Sequence, residues 1–166
     1  FPDLGKCRCT PTQIRRYLNR VSGPFLDRID IGVEVPRQDL GMMAAEKSID
    51  EGSFPQTEQR NSSAVMRARV MEARARQEKR FADESISYNS QMTRRQIEEY
   101  CRLSGEDAVF LEKVERQQGI SARGHGKILK VARTLADLDG QAEIGRTQLA
   151  EAIGFRSFEK KYWGNL

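Results

Sequence analysis

Ser121-Ala122-Arg123-Gly124-His125-Gly126-Lys127-Ile128-Leu129-Lys130-Val131-Ala132-Arg133-Thr134-Leu135-Ala136-Asp137-Leu138 is the stretch on which the fold turns. Ile128, Leu129, Ala132, Leu135 and Ala136 recur at helical spacing and predict one apolar face turned to a core. Ser121 is a suitable N-cap, and Gly140 is a stop just beyond the last turn. Upstream, Ser104-Gly105-Glu106-Asp107 opens a second helix with Ala108, Leu111 and Val114 inward, closed by Gly119. Before it, Thr93-Arg94-Arg95-Gln96 is a capping box leading into Ile97, Tyr100 and Cys101. Ser62 or Ser63 caps a helix running to about Phe81, with Val65, Ala68, Met71 and Ala75 on one side, and a polar loop over 83–91 follows it. A short last helix spans 146–153. Together these segments predict an all-α helical bundle over 62–154 with a tail over 155–166.

The first part of the chain reads differently. Thr10-Pro11-Thr12-Gln13 combines a capping box with Pro at the first helical position, and Ile14, Tyr17, Leu18 and Val21 follow as one apolar stripe. Gly23-Pro24 ends that helix. Ile29, Ile31, Val33 and Val35 then alternate with Asp30, Gly32 and Glu34, the period of a half-buried strand, and Pro36 closes it. No second segment alternates as well. A lone strand leaves its backbone groups unpaired, so its sheet is expected upstream, in a longer soluble protein from which this chain is cut. The opening Phe1-Pro2-Asp3, without Met or an apolar signal, fits that expectation. Residues 1–36 therefore read as the truncated, partly disordered end of a preceding core. Residues 37–61 read as a flexible linker, negative up to Glu58, with Arg37 and Lys47 against Asp39, Glu46, Asp50, Glu51 and Glu58. Met42-Met43-Ala44-Ala45 is compatible with a short helix inside it.

Hydrophobic residues make up 38%, charged residues 31% and aromatics 7%, so the core must come mainly from Leu, Ile, Val, Ala and Met. A net charge of +4 and a pI near 9.1 suit nucleic acid or nucleotide phosphates, and equally an ordinary helical domain. No run approaches the roughly 18 apolar residues of a membrane span. Three cysteines do not make a secreted disulfide framework, which points to the cytoplasm. Neither a G-x-x-x-x-G-K-[ST] phosphate loop (Walker A) nor a Walker B element is present, so the chain is not expected to hydrolyse ATP alone. Gly124-His125-Gly126-Lys127 follows a cap and enters an apolar helix, which is the wrong context for a phosphate loop. His125, without a second His or Cys at ligand spacing, reads as a surface residue in a first helical turn. Cys7-Arg8-Cys9 is either two surface thiols or half of a zinc site, because zinc takes about four ligands; Cys101 reads as a small core residue. Over 60–80, seven basic residues stand against two acidic ones. Arg67, Arg69, Arg74 and Arg76 are candidates for DNA phosphates, or members of a solvated face with pairs such as Glu72 with Arg76.

Two stretches carry a family resemblance. Ile14-Arg15-Arg16-Tyr17-Leu18-Asn19-Arg20-Val21-Ser22-Gly23-Pro24-Phe25-Leu26-Asp27-Arg28-Ile29-Asp30-Ile31 is one, and Ser121-Ala122-Arg123 with Ile128 to Leu138 is the other. Together with the Arg-x-Arg-Val spacing in 61–80, they resemble the ComM/YifB-type branch of the magnesium-chelatase-like AAA+ ATPases. The resemblance implies the end of an AAA+ core followed by its helical lid, in a homo-oligomeric ring, a hexamer, with ATP and Mg2+ between neighbouring subunits. Arg28 then corresponds to an arginine finger acting in trans, and Arg123 to the sensor-2 residue on the ATP phosphates. Cys7 and Cys9 correspond to the second half of a four-cysteine loop, a Zn2+ site in the full-length protein. DNA, through helicase-like or branch-migration work, is the substrate implied; porphyrin metallation is the lesser one. Gly124 and Gly126 depart from the family's bulkier residues and imply a first turn that frays without nucleotide.

Rival readings are a non-enzymatic helical module binding nucleic acid through 60–80, and a protein-interaction domain. In the second, Arg28 pairs with Asp27 or Asp30 on the surface and Arg123 is ordinary.

Overall fold

The computed structural model describes residues 8–35 and 62–157, and every regular element in them is helical. Two short helices come first, α1 over Pro11–Leu18 and α2 over Gly23–Leu26. The bundle follows as α3 over Ser63–Arg80, α4 over Arg94–Tyr100, α5 over Gly105–Gln118, α6 over Ala122–Leu138 and α7 over Arg146–Gly154. A 3-10 turn over Asn89–Gln91 joins α3 to α4. The expected starts are present: Thr10 and Thr93 both close reciprocal capping boxes, and Ser62, Ser104 and Ser121 each accept from a first-turn N–H. Gly119 ends α5 at φ 68, a left-handed conformation that favours glycine.

α6 is the centre. It packs against α3, α4, α7 and the 3-10 turn, while α5 meets α7. Ile128, Leu129, Ala132 and Ala136 of α6 enter one core with Phe81, Met92, Cys101, Leu111, Ile144, Leu149 and Ala152. Cys101 is thus a core residue, and burial pushes its thiol up to about 11.

Several expectations fail: Ala108, expected inward, is exposed on α5, and Gly23-Pro24, expected to end α1, opens α2 instead, because α1 already stops at Leu18. The alternation over 29–35 does not give a strand: Ile31, Val33 and Val35 are 49%, 70% and 85% exposed, and no ladder forms among the described residues. A strand exists only against a partner, and here Gly32 N–H donates instead to the Phe155 carbonyl at 2.9 Å. The apolar side of α3 named from the sequence is exposed. Val65 and Met71 are 40% and 52% exposed, Ala68 and Ala75 are exposed too, and the buried residues of α3 are Ala73 and Gln77. What turns α3 is Asp137 of α6, which is fully buried. Arg80 of α3 grips both of its carboxylate oxygens, Asn89 donates to it at 2.8 Å, and Arg133 lies 3.3 Å away. Arg76 adds a hydrogen bond to the Asp137 carbonyl at 3.1 Å. Buried charges must be paired, and this pairing outweighs a scattered apolar stripe. The possible helix at 42–45 lies outside the described residues.

The two glycines early in α6 differ in kind. A Cβ on Gly124 would meet Ile120 Cγ2 at 2.7 Å, whereas one on Gly126 would meet Ile97 Cδ1 at an ordinary 3.5 Å. Cγ2 of a β-branched residue cannot swing away. Gly124→Ala is therefore expected to destabilise the bundle by about 1–3 kcal/mol. Gly126→Ala should stabilise it by up to about 1 kcal/mol through helix propensity. Urea unfolding of the two variants checks the opposite signs, and equal shifts would contradict them.

Candidate functional site

The Arg28 loop is built by α2. Ser22 caps that helix, Pro24 occupies its first turn, and the chain leaves through Asp27 and Arg28. Arg28 is exposed, and its guanidinium Nη1 donates to the Pro24 carbonyl at 3.1 Å. The aspartates on either side of it are both taken by the bundle. Asp27 accepts from Ser121 Oγ at 3.0 Å and faces Arg156 Nη2 at 3.8 Å; Asp30 pairs with Lys127 Nζ at 2.9 Å. The surface pairing of Arg28 with Asp27 or Asp30 is therefore not what forms.

The opposite side of the site is the start of α6. One hydroxyl does two jobs there: Ser121 Oγ accepts from Gly124 N–H at 3.0 Å as the N-cap and donates to Asp27. Gly124 is buried, so the turn is packed and capped in this structure, which answers the expectation of a frayed one. Arg123 projects from this turn and is exposed.

Arg28 and Arg123 line the same cleft, of about 1400 Å3, with Lys127, Lys130 and Arg94 on its walls and Ile97 and Leu129 among its apolar lining. Three of these cations are already occupied: Lys127 by Asp30, Lys130 by the Ser90 carbonyl at 2.9 Å, and Arg94 by Glu98 at 3.1 Å. Arg28 holds only a carbonyl, and Arg123 has no partner among the described residues. Two guanidinium forks without counter-ions on one cleft are suited to an anion with several oxygens. His125 and Glu115 also line the cleft and are paired with each other, with Nδ1 and Oε1 2.6 Å apart.

The DNA candidates on α3 do not share one face. At about 100° per residue, Arg67 and Arg74 fall on one side and Arg69 and Arg76 on another. Arg67 and Arg69 are exposed, Arg74 lies over the Tyr88 ring at 5.7 Å, and Arg76 is drawn to the bundle by the Asp137 carbonyl while pairing with Glu72 of its own helix at 3.9 Å. Cys9 is exposed; Cys7 lies outside the described residues. Among the described residues no group of three or more His, Cys, Asp or Glu is placed to hold a metal, and no helix is long and apolar enough to cross a membrane.

One residue of the site carries no signal in the sequence. Arg156 follows α7, is 4% exposed, and donates from Nη1 to the Ile29 carbonyl at 2.9 Å. Its partners lie more than a hundred positions away in the chain, so no spacing or periodicity marks it.

Comparison with known proteins accords with this geometry. The family described as magnesium chelatase, subunit ChlI C-terminal, matches residues 60–156, and that described as magnesium chelatase, subunit ChlI, matches residues 3–43. The competence protein ComM of Haemophilus influenzae is 41% identical over 151 residues, covering 90% of this chain and 27% of that protein. The uncharacterized protein YifB of Escherichia coli is 40% identical over 153 residues, covering 92% of this chain and 28% of that protein. The chain thus spans little more than a quarter of the length of these relatives. The helical bundle coincides with the ChlI C-terminal match, and the chain belongs to the magnesium-chelatase-like AAA+ family of ComM and YifB, contributing its helical lid domain.

Proposed function

We propose that this chain forms one wall of an ATP site shared between neighbouring copies in a homo-oligomeric ring, a hexamer, of a full-length cytoplasmic ATPase that remodels DNA. The observation that carries the reading is the shared cleft: Arg28 and Arg123 line it together with no carboxylate on either guanidinium. Residues 1–36 belong in this reading to the end of the AAA+ core, 37–61 to a linker, 62–154 to the lid and 155–166 to a tail. Both arginines fit the phosphate end of ATP, and no described residues cluster to hold Mg2+. The bound nucleotide supplies the phosphoryl group for transfer to water. The chain itself presents Arg28 to the neighbour's nucleotide in trans, and Arg123, on the same cleft, to the same phosphates. Guanidinium forks there stabilise charge on the transferring oxygens, while the start of the 17-residue α6 adds the positive end of a helix. The chain has no phosphate loop and by this account is inactive alone. Cys7 and Cys9 would complete a Zn2+ site with two further ligands elsewhere in the full-length protein.

ATP turnover of the full-length protein, with and without DNA, tests this. Arg123→Ala is expected to lower kcat by about a hundredfold, the scale of one lost electrostatic contact to the transition state. Turnover unchanged in the variant would remove the sensor assignment, and turnover indifferent to DNA would remove DNA as substrate. Arg67 and Arg69, exposed on α3, favour one second reading, a nucleic-acid-binding module without ATPase. DNA binding by a full-length protein that does not turn over ATP would support it.

A further inference from the structure

We infer that Arg156 is the positioning residue for Arg28: its buried guanidinium pins the residues on both sides of Arg28 to the first turn of α6. The inference rests on the reading of Arg28 as a residue that acts on phosphate. The fork of Arg156 reaches two targets at once, Nη1 to the Ile29 carbonyl at 2.9 Å and Nη2 towards the Asp27 carboxylate at 3.8 Å. These are the neighbours of Arg28 in sequence: one planar group holds the Ile29 backbone by a hydrogen bond and faces the Asp27 side chain as a longer ion-pair contact. The preceding residue adds a third tie, since the Phe155 carbonyl accepts from Gly32 N–H at 2.9 Å. At 4% exposure, Arg156 makes these bonds where water competes poorly.

The same guanidinium touches the other arm of the cleft. A Cβ on Gly124 would lie 3.8 Å from Arg156 Nε, so the residue after Arg123 packs directly on the pin. Ser121, which caps α6, donates at 3.0 Å to the same Asp27 carboxylate oxygen that faces Arg156. The backbone around Arg28 and the turn bearing Arg123 are therefore fixed to one buried group, and movement of the lid carries both. Lysine could not substitute fully, because a point charge reaches one target and a fork reaches two.

The test compares full-length variants by steady-state ATP turnover. Arg156→Met is expected to lower kcat by about a hundredfold with KM little changed, the scale of a misplaced catalytic group, and Arg156→Lys should recover part of it. The double variant Arg156→Met with Arg28→Ala should be no slower than Arg28→Ala alone, a non-additivity that a general loss of stability would not produce. Asp27→Ala removes the partner from the loop side and leaves the bundle core untouched, so it decides the matter if Arg156→Met fails to fold; the same fall in kcat is expected. In the Arg156→Met protein, the Gly32 amide should lose hydrogen-exchange protection while the α6 amides keep theirs. Wild-type turnover in both Arg156→Met and Asp27→Ala, with Arg28→Ala inactive, overturns the pin and leaves the reading of Arg28 standing. Additive losses in the double variant also overturn it. Wild-type turnover in Arg28→Ala overturns that reading and the inference with it.

Discussion

Arg28→Ala in the full-length protein is expected to lower ATP turnover by about a thousandfold or more, the scale of a lost arginine finger. The expectation follows from how the side chain is kept available. Asp27 and Asp30 would neutralise it if they could, yet Ser121, Arg156 and Lys127 hold both, and the Pro24 carbonyl is the one partner left. Mixing decides where it acts. A subunit lacking a working phosphate loop but retaining Arg28 should restore part of the turnover when combined with Arg28→Ala subunits, because each then completes the other's site. Loss without rescue would place Arg28 in its own subunit's site, and undiminished turnover would remove it from the chemistry altogether.

The second large effect is on stability. Asp137→Ala is expected to cost about 3–5 kcal/mol, the scale of breaking a buried ion pair by removing one partner. Asp137 is fully buried, and the side chains of Arg80 and Arg133 beside it are 16% and 3% exposed. Removing the carboxylate leaves two guanidinium groups in the interior with reduced compensation. Arg133 keeps the Ala142 and Gln141 carbonyls at 2.8 Å each, while Arg80 keeps one hydrogen bond, to Asn89 Oδ1 at 3.0 Å, and its place over the Phe81 ring at 5.8 Å. The link between α3 and α6 should fail first, since Arg80 and Asn89 both converge on Asp137. For a domain of this size, the loss corresponds to a fall in Tm of at least about 12 °C. Thermal unfolding followed by circular dichroism measures it on this chain directly. The exposed pair Arg94–Glu98 is the control, because its removal should change stability by no more than about 0.5 kcal/mol. A shift of that small size for Asp137→Ala would mean that the buried network does not orient α3.

The helix starts were legible because capping is local. Thr10, Ser62, Thr93, Ser104 and Ser121 each need only the three residues that follow them to meet a first-turn N–H. The inward face of α6 was legible as well, because its apolar stripe is dense enough to leave no second choice. α3 had no such density. Its buried residues are an alanine and a glutamine, and the residue that turns it inward lies 57 positions from Arg80. A hydrophobic count over a window cannot see a charge pair at that separation. The strand pattern of 29–35 failed for a related reason: alternation states which face would be buried, whereas a ladder needs a second strand, and none forms among the described residues.

The site divides along the same line. Sequence alone identifies the family through two short motifs, and singles out Arg28 and Arg123 as candidates, because such motifs are contiguous and survive in a linear reading. It also determines the all-helical bundle, because caps and periodicity act over a few residues. Tertiary structure decides that the two arginines line one cleft, that Asp27 and Asp30 are drawn away from Arg28, and that Arg156 joins the two arms. The physical reason is range. Hydrogen bonds and ion pairs act within a few ångströms, and folding alone brings Ile29 to within 2.9 Å of a guanidinium that lies 127 residues further along the chain.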